Sequence, residues 1–366
     1  MRRLGGIAVL TATALVLGVP TTDAATTLGR RVVPGAKAAY TPLTYGPGDP
    51  TLVRGDLAAP KPGRARRRTS LTYFAQLSDF QLADEESPAR VESLDQVNSA
   101  FSAAWRPQEA LMPFVIDASI RQVDANLRSP IRARGGRRAK LAFTLLTGDN
   151  ADNKQANEAG WVDRLLMGGR LDPGSGVVDD ASMAGAGCGL GDRAKLAAEA
   201  PLYTGVQDYD DYLQNGTFWD PDVPLGQFAA FPSYPGLMDR AQQPFMATGL
   251  RVKSYVAFGN HDGLVQGNLA ANSTTSGVAT GCVKALTPTL NPSDPVALIM
   301  DAMIDPAGSL IVPPDPERRE VDKADYRKMF AGDGQADQHG FGDIDPAERK
   351  ASDGAASYYS FAPRKG

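Results

Sequence analysis

An α/β fold built on a mostly parallel sheet is predicted for this chain, and two observations predict it. Continuous apolar runs, suited to strands buried on both faces, alternate with helical patterning. Each run gives way at its carboxyl end to a polar cluster. Strand, helix, strand, helix, strand is the order of a parallel sheet with crossover helices.

The first run is Leu71-Thr72-Tyr73-Phe74-Ala75-Gln76-Leu77, and it enters Ser78-Asp79-Phe80-Gln81. A helix is expected between Pro107 and Pro130, with Leu111, Phe114, Val115 and Ala118 on one face. The second run, Leu141-Ala142-Phe143-Thr144-Leu145-Leu146, enters Thr147-Gly148-Asp149-Asn150. A further helix is expected to turn Trp161, Leu165 and Leu166 inward. The third run, Ser254-Tyr255-Val256-Ala257-Phe258, enters Gly259-Asn260-His261-Asp262. Ligands of such sheets bind beyond the carboxyl ends of the strands, which is where all three clusters fall.

Composition bounds the rest. A chain of 366 residues makes two or three ordinary domains, or one large domain with an insertion. Its 42% hydrophobic and 22% charged residues exclude a wholly disordered chain. A net charge of −4 gives no reason to expect a nucleic-acid partner. With two histidines, no site of three or four imidazoles can be built from this chain.

The N-terminus reads as an export signal over residues 1–24. Arg2-Arg3 is followed by an apolar stretch from Leu4 to Val19, then Pro20 and the small-residue end Thr22-Asp23-Ala24. The stretch is too short and glycine-rich for a good membrane span, and nothing after it reads as one. The paired arginines are compatible with twin-arginine export. The mature protein is expected to be secreted or held at the cell surface.

In an oxidising compartment Cys188 and Cys282 are a candidate disulfide. Closing a loop of that length restricts the unfolded chain by roughly 4–5 kcal/mol on the entropic model. A zinc site is not expected, because neither cysteine has a ligand neighbour at the usual spacing. Residues 25–69 read as an extended Pro/Arg-rich segment ending in a solvated basic cluster at 60–68. Residues 70–366 form the main domain, with a loop-rich insertion at about 170–235. A second loop-rich stretch is expected at 264–315, then a charged helix at 316–330.

Alone, each polar cluster has a plain structural reading as a turn or cap. Together they bring Asp79, Asp149 and Asn260 to one cleft. Two carboxylates about 4 Å apart repel by about 4 kcal/mol at an effective dielectric near 20. A bound cation reverses that sign, and oxygen ligands on rigid strand ends suit a hard or borderline metal.

Asp79-Phe80-Gln81, Gly148-Asp149-Asn150-Ala151-Asp152 and Gly259-Asn260-His261-Asp262, in this order, resemble the motifs of the calcineurin-like metallophosphoesterase superfamily. The flanking Ser78-Asp79-Phe80-Gln81-Leu82-Ala83-Asp84, Tyr234-Pro235-Gly236 and His261 to Asn268 are similar to a subgroup of exported actinobacterial members. The resemblance covers about 71–361. It implies a two-sheet sandwich flanked by helices and hydrolysis of phosphomonoesters or phosphodiesters. It also implies two divalent or trivalent metal ions, drawn from Fe, Mn or Zn. Asp79 would bind the first metal, Asp149 would bridge, and Asn260 would bind the second. His261 would serve the leaving oxygen, Asp262 would orient His261, and Asp152 would support them.

Two departures limit what carries over. Gln81 stands where the common motif has histidine, and its amide oxygen is a poorer, uncharged ligand. The family also supplies later histidines in a Gly-His-x-His motif, whereas here His339 stands in Gln338-His339-Gly340-Phe341. Tyr358-Tyr359-Ser360-Phe361 reads as a strand, and the sequence then stops. The chain therefore reads as the front part of a longer enzyme, with an incomplete second half, room for one metal and poor activity. The rival reading is a non-catalytic relative that binds a metal or other ligand.

Overall fold

A computed structural model describes residues 26–35, 42–97, 99–177, 179–189, 191, 194, 203–207, 217–285, 295–304, 309–331 and 338–363. The export signal at 1–24 lies outside the described residues, as do parts of the two loop-rich stretches.

The chain is mixed α/β with several small sheets. Its strands are β1 (Arg30–Pro34), β2 (Leu43–Pro47), β3 (Ala75–Leu77), β4 (Arg128–Arg132), β5 (Arg138–Lys140), β6 (Thr144–Leu146), β7 (Gly169–Leu171), β8 (Phe245–Ala247), β9 (Ser254–Val256), β10 (Val283–Ala285) and β11 (Ser309–Ile311). A parallel sheet runs β3-β6-β9, with Leu77 beside Leu146 and Leu146 beside Val256. The other strands pair antiparallel as β1-β2, β4-β5, β7-β8 and β10-β11. After the four-residue helix α1 (Arg64–Arg67), the crossovers carry α2 (Met112–Ala125) and α3 (Ala156–Met167). Leu82, Ile116, Ile120, Leu146, Val162, Leu165 and Val256 meet in one core with Tyr326, Phe330 and Phe341. Each fully buried side chain of this kind gains about 1.5–3 kcal/mol over exposure.

The expected strands are real but shorter. Leu71 lies before β3 and is 90% exposed, and Gln76 within β3 faces solvent, so this strand is covered on one face only. The first crossover helix uses a different face from the one its apolar spacing suggests. Pro113, Ile116, Asp117 and Ile120 are buried, while Val115 is 45% exposed. Asp117 hides this face in the sequence. Its carboxylate accepts the Thr248 N–H at 2.7 Å and pairs with Arg121, so it can sit in a buried stripe. In the second helix, Leu165 and Leu166 are buried and Trp161 packs against the same core. A reciprocal Gln155–Glu158 capping box starts that helix.

The described part of the insertion carries its own apolar cluster. Tyr203, Val206, Phe218 and Trp219 close over Trp105, Leu310 and Val312. Cys188 and Cys282 are bonded, with Cα atoms 6.0 Å apart. The stretch from 264 is more ordered than expected, with helices Ser273–Thr280 and Pro295–Ile304 beside β10 and β11. The charged segment at 316–330 splits into a turn at Pro316–Arg318 and a helix at Lys323–Ala331. Tyr358 to Phe361 form no strand. Instead Phe361 stacks on Tyr255 and the Tyr359 hydroxyl donates to Val256 O at 2.7 Å.

Candidate active site

Beyond the sheet, the first two strand-end loops continue to pair. Asp79 N donates to Gly148 O at 3.1 Å, Gln81 N to Asp149 O at 2.8 Å and Leu82 N to Asn150 O at 3.0 Å. The zipper fixes both loops but forces an unusual backbone. Asp79, Gln81 and Asp149 have φ of 55°, 41° and 53°, in the left-handed region. Each such residue costs on the order of 1–3 kcal/mol and persists only where its surroundings dictate it. The third loop abuts the second backbone to backbone. A Cβ added to Gly259 would lie 2.1 Å from Asp149 Oδ1, so only glycine allows this approach.

The side chains named from sequence fall into three groups. Asp149 and His261 are together, with Asp149 Oδ1 accepting the His261 N–H at 2.9 Å, and Asn260 precedes His261 in the same loop. Asn260 Nδ2 donates to Gly267 O at 3.2 Å. Asp79 is exposed, and its Oδ2 accepts from Ser78 Oγ, which in turn accepts from Thr147 Oγ1 at 2.7 Å. Gln81 is engaged elsewhere, with its Oε1 accepting from Arg106 at 2.9 Å. Arg106 Nε is held by Glu109 Oε1 at 2.6 Å.

His261 is oriented by Asp152, not by Asp262. Its Nδ1 lies 2.9 Å from Asp152 O and 3.3 Å from Asp152 Oδ1. Gln266 Nε2 steadies the other Asp152 oxygen at 2.8 Å. Burial opposes a charge on the imidazole, but bonds to and charge on Asp152 overcome it and raise its pKa to about 9. Asp262, expected to orient His261, is fully buried and turned the other way. Its Oδ1 accepts the N–H groups of Asn150 and Ala151, each at 3.0 Å, and its Oδ2 that of Gly259 at 2.8 Å. It is a clamp between loops.

The later histidine is far from this chemistry. His339 Nδ1 meets Ser254 Oγ at the start of β9, and its Nε2 meets Asp163 at 3.1 Å. The candidate site lies past the other end of that strand.

A cleft of about 430 Å³ opens beside the loops. Gln81, Arg106, His261 and Gln266 give it a polar side; Leu94, Phe101 and Ile299 give it an apolar wall. The segment after Gln81 supports it through buried ion pairs. Arg90 meets Glu85 and Glu109, Lys284 meets Glu92 and the backbone carbonyl of Arg90, and Arg318 meets Asp84 at 3.0 Å. Sequence reasoning misses Arg106, which has no motif around it, and Gln266, which lies in the His261 to Asn268 segment but is given no role there.

Asp79 and Asp149 carboxylates with the Asn260 amide are the oxygen donors available to a cation. Among the described residues, no three His, Cys, Asp or Glu side chains group closely enough to hold a metal ion. No described helix is long and apolar enough to cross a membrane. Comparison of the chain with protein-family models, curated proteins and solved structures finds no match.

Proposed function

We propose that this chain is a metal-dependent phosphoesterase of the calcineurin-like type, acting on phosphomonoesters or phosphodiesters after export from the cytoplasm. The observation that carries the reading is the meeting of three strand-end motifs, with Asp79, Gln81 and Asp149 all held in left-handed backbone. The two-sheet sandwich belongs to this proposal, with the parallel strands β3, β6 and β9 as part of one sheet.

Asp79, Asp149 and Asn260 would offer oxygen donors to one cation, completed by water, rather than to the pair that the motifs imply. When bound, such a cation lowers the pKa of water and offsets phosphate charge. His261, held at Nδ1 by Asp152, presents Nε2 to protonate a leaving oxygen. Arg106 lies across the cleft with a guanidinium suited to a phosphoryl oxygen. The apolar wall takes the organic part of the ester.

The engagement of Gln81 by Arg106 favours the second reading, a non-catalytic relative that binds a metal or another ligand. Turnover of an aryl phosphodiester with added Mn²⁺ separates the two. Activity in the wild type that Asp149→Asn abolishes supports the esterase; metal binding without turnover supports the relative.

A further inference from the structure

Two arginine-rich stretches, distant in sequence, are linked in the fold through Ser70. Ser70 N donates to Arg132 O at 2.8 Å, and Ser70 bridges Ala133 in parallel. Ser70, two residues past the segment 61–68 with its five cations, thus touches the β4–β5 hairpin, which carries six between Arg128 and Lys140. No acidic residue occurs from Leu57 to Ser78 or from Asn126 to Gly148. A net charge of −4 over the chain conceals this concentration.

The hairpin is built against its own stability. Arg128 stands opposite Lys140, and Arg132 opposite Arg138. All four are exposed on one face, while Ser129 and Ala139 turn inward. Like charges directly across a ladder are destabilising. Arg128 and Arg132 bond to backbone carbonyls, those of Arg138 and Gly136, so the guanidinium charges stay uncompensated there. A groove of about 940 Å³ runs beside them, lined by Arg134, Arg137, Arg138 and Lys140. Both basic stretches precede their strands, and the candidate cleft follows them. The groove and the cleft therefore lie at opposite ends of the parallel sheet.

We propose that this face binds a linear polyanion with a phosphate backbone, the hairpin arginines gripping successive phosphates. A guanidinium fork matches phosphate geometry better than an ammonium does, and arginine outnumbers lysine here. A groove receives a strand, whereas a planar bilayer rests on its rim. The proposal is independent of the phosphoesterase reading.

The test uses the full chain and long-chain inorganic polyphosphate over a range of NaCl. Affinity should fall steeply with salt, by about 0.7 log units per log unit of salt for each phosphate engaged. The Arg132→Glu/Arg138→Glu variant should bind at least tenfold more weakly with a shallower salt slope, and Arg170→Glu on β7 should bind like the wild type. Polyphosphate should raise the melting temperature of the wild type and not that of the double variant. If the double variant fails to fold, Arg134→Ala/Arg137→Ala in the turn should still weaken binding severalfold. Equal affinity in wild type and a folded hairpin variant overturns the proposal. So does binding to phosphatidylglycerol vesicles without binding to polyphosphate, which assigns the face to a membrane.

Discussion

The Asp262 carboxylate accepts the backbone N–H of Asn150 at 3.0 Å, across 112 positions of sequence. It does the same for Ala151 and, through its other oxygen, for Gly259. One buried side chain thus holds the second and third strand-end loops in a fixed relation, although burial pushes its carboxyl pKa up. Asp262→Asn replaces an acceptor oxygen with a donor facing N–H groups. Hydrogen bonds to charged groups contribute about 1.5–3 kcal/mol each. The variant should lose about 2–4 kcal/mol in urea denaturation, more than a catalytic substitution would. An unchanged midpoint would show that the clamp is dispensable.

Gly259→Ala should act on the candidate site rather than on the core. The added Cβ would lie 2.1 Å from Asp149 Oδ1 and 2.3 Å from Asp149 N. Asp149 must move, and Mn²⁺ affinity measured by calorimetry should fall at least tenfold. Gln81→Ala should cost less, because its amide oxygen already serves Arg106.

Stability should decline as pH rises above the ordinary carboxylate range. Burial raises the Glu158 pKa to about 8 in the folded protein, a shift reinforced by the nearby Asp152 charge. The unfolded chain releases that proton near pH 4.5, its ordinary value. Folding therefore holds the proton through the interval, and the stabilisation present below pH 4.5 is lost as pH rises through about 8. Between pH 5.5 and 8.5 the wild type should lose on the order of 1–3 kcal/mol through this group. Glu158→Gln should flatten that slope in paired urea titrations. An identical slope in both proteins would remove Glu158 as its source.

Reduction should cost more than a local contact. The Cys188–Cys282 bond closes a separation of 94 residues. The entropic model assigns such a loop roughly 4–5 kcal/mol. Cys282→Ser, or added reductant, should lower the melting temperature by about 6 °C. Intact mass should show a difference of two hydrogens between native and reduced protein.

Much of the sheet is legible in the sequence, because its strands read as apolar runs and their ends as polar breaks. The order of the three clusters and the approach of the second strand end to the third follow from that pattern. The first crossover helix is misread because Asp117 looks like a surface residue until Thr248 supplies its partner. The segment Asp84 to Glu92 carries five charges, yet every residue in it is buried. Its counter-charges, Lys284 and Arg318, come from far along the chain, and no local pattern announces them. The orienting role falls to Asp152 instead of Asp262 for a similar reason. Adjacency in sequence says nothing about which way a carboxylate turns.

Arg318 is fully buried and reaches Asp84, Ser175 and the Pro313 carbonyl. Asp84 leaves the ribosome 234 residues before it. Until then the acid in the loop that carries Gln81 has neutral partners, the Asn157 amide and Ser175 hydroxyl, and no opposite charge. Synthesis thus imposes a timetable on the cleft: its first motif is among the earliest parts made and among the last to be set. A nascent chain halted short of residue 318 would hold its strand-forming segments but leave the Asp84 carboxylate without its counter-charge.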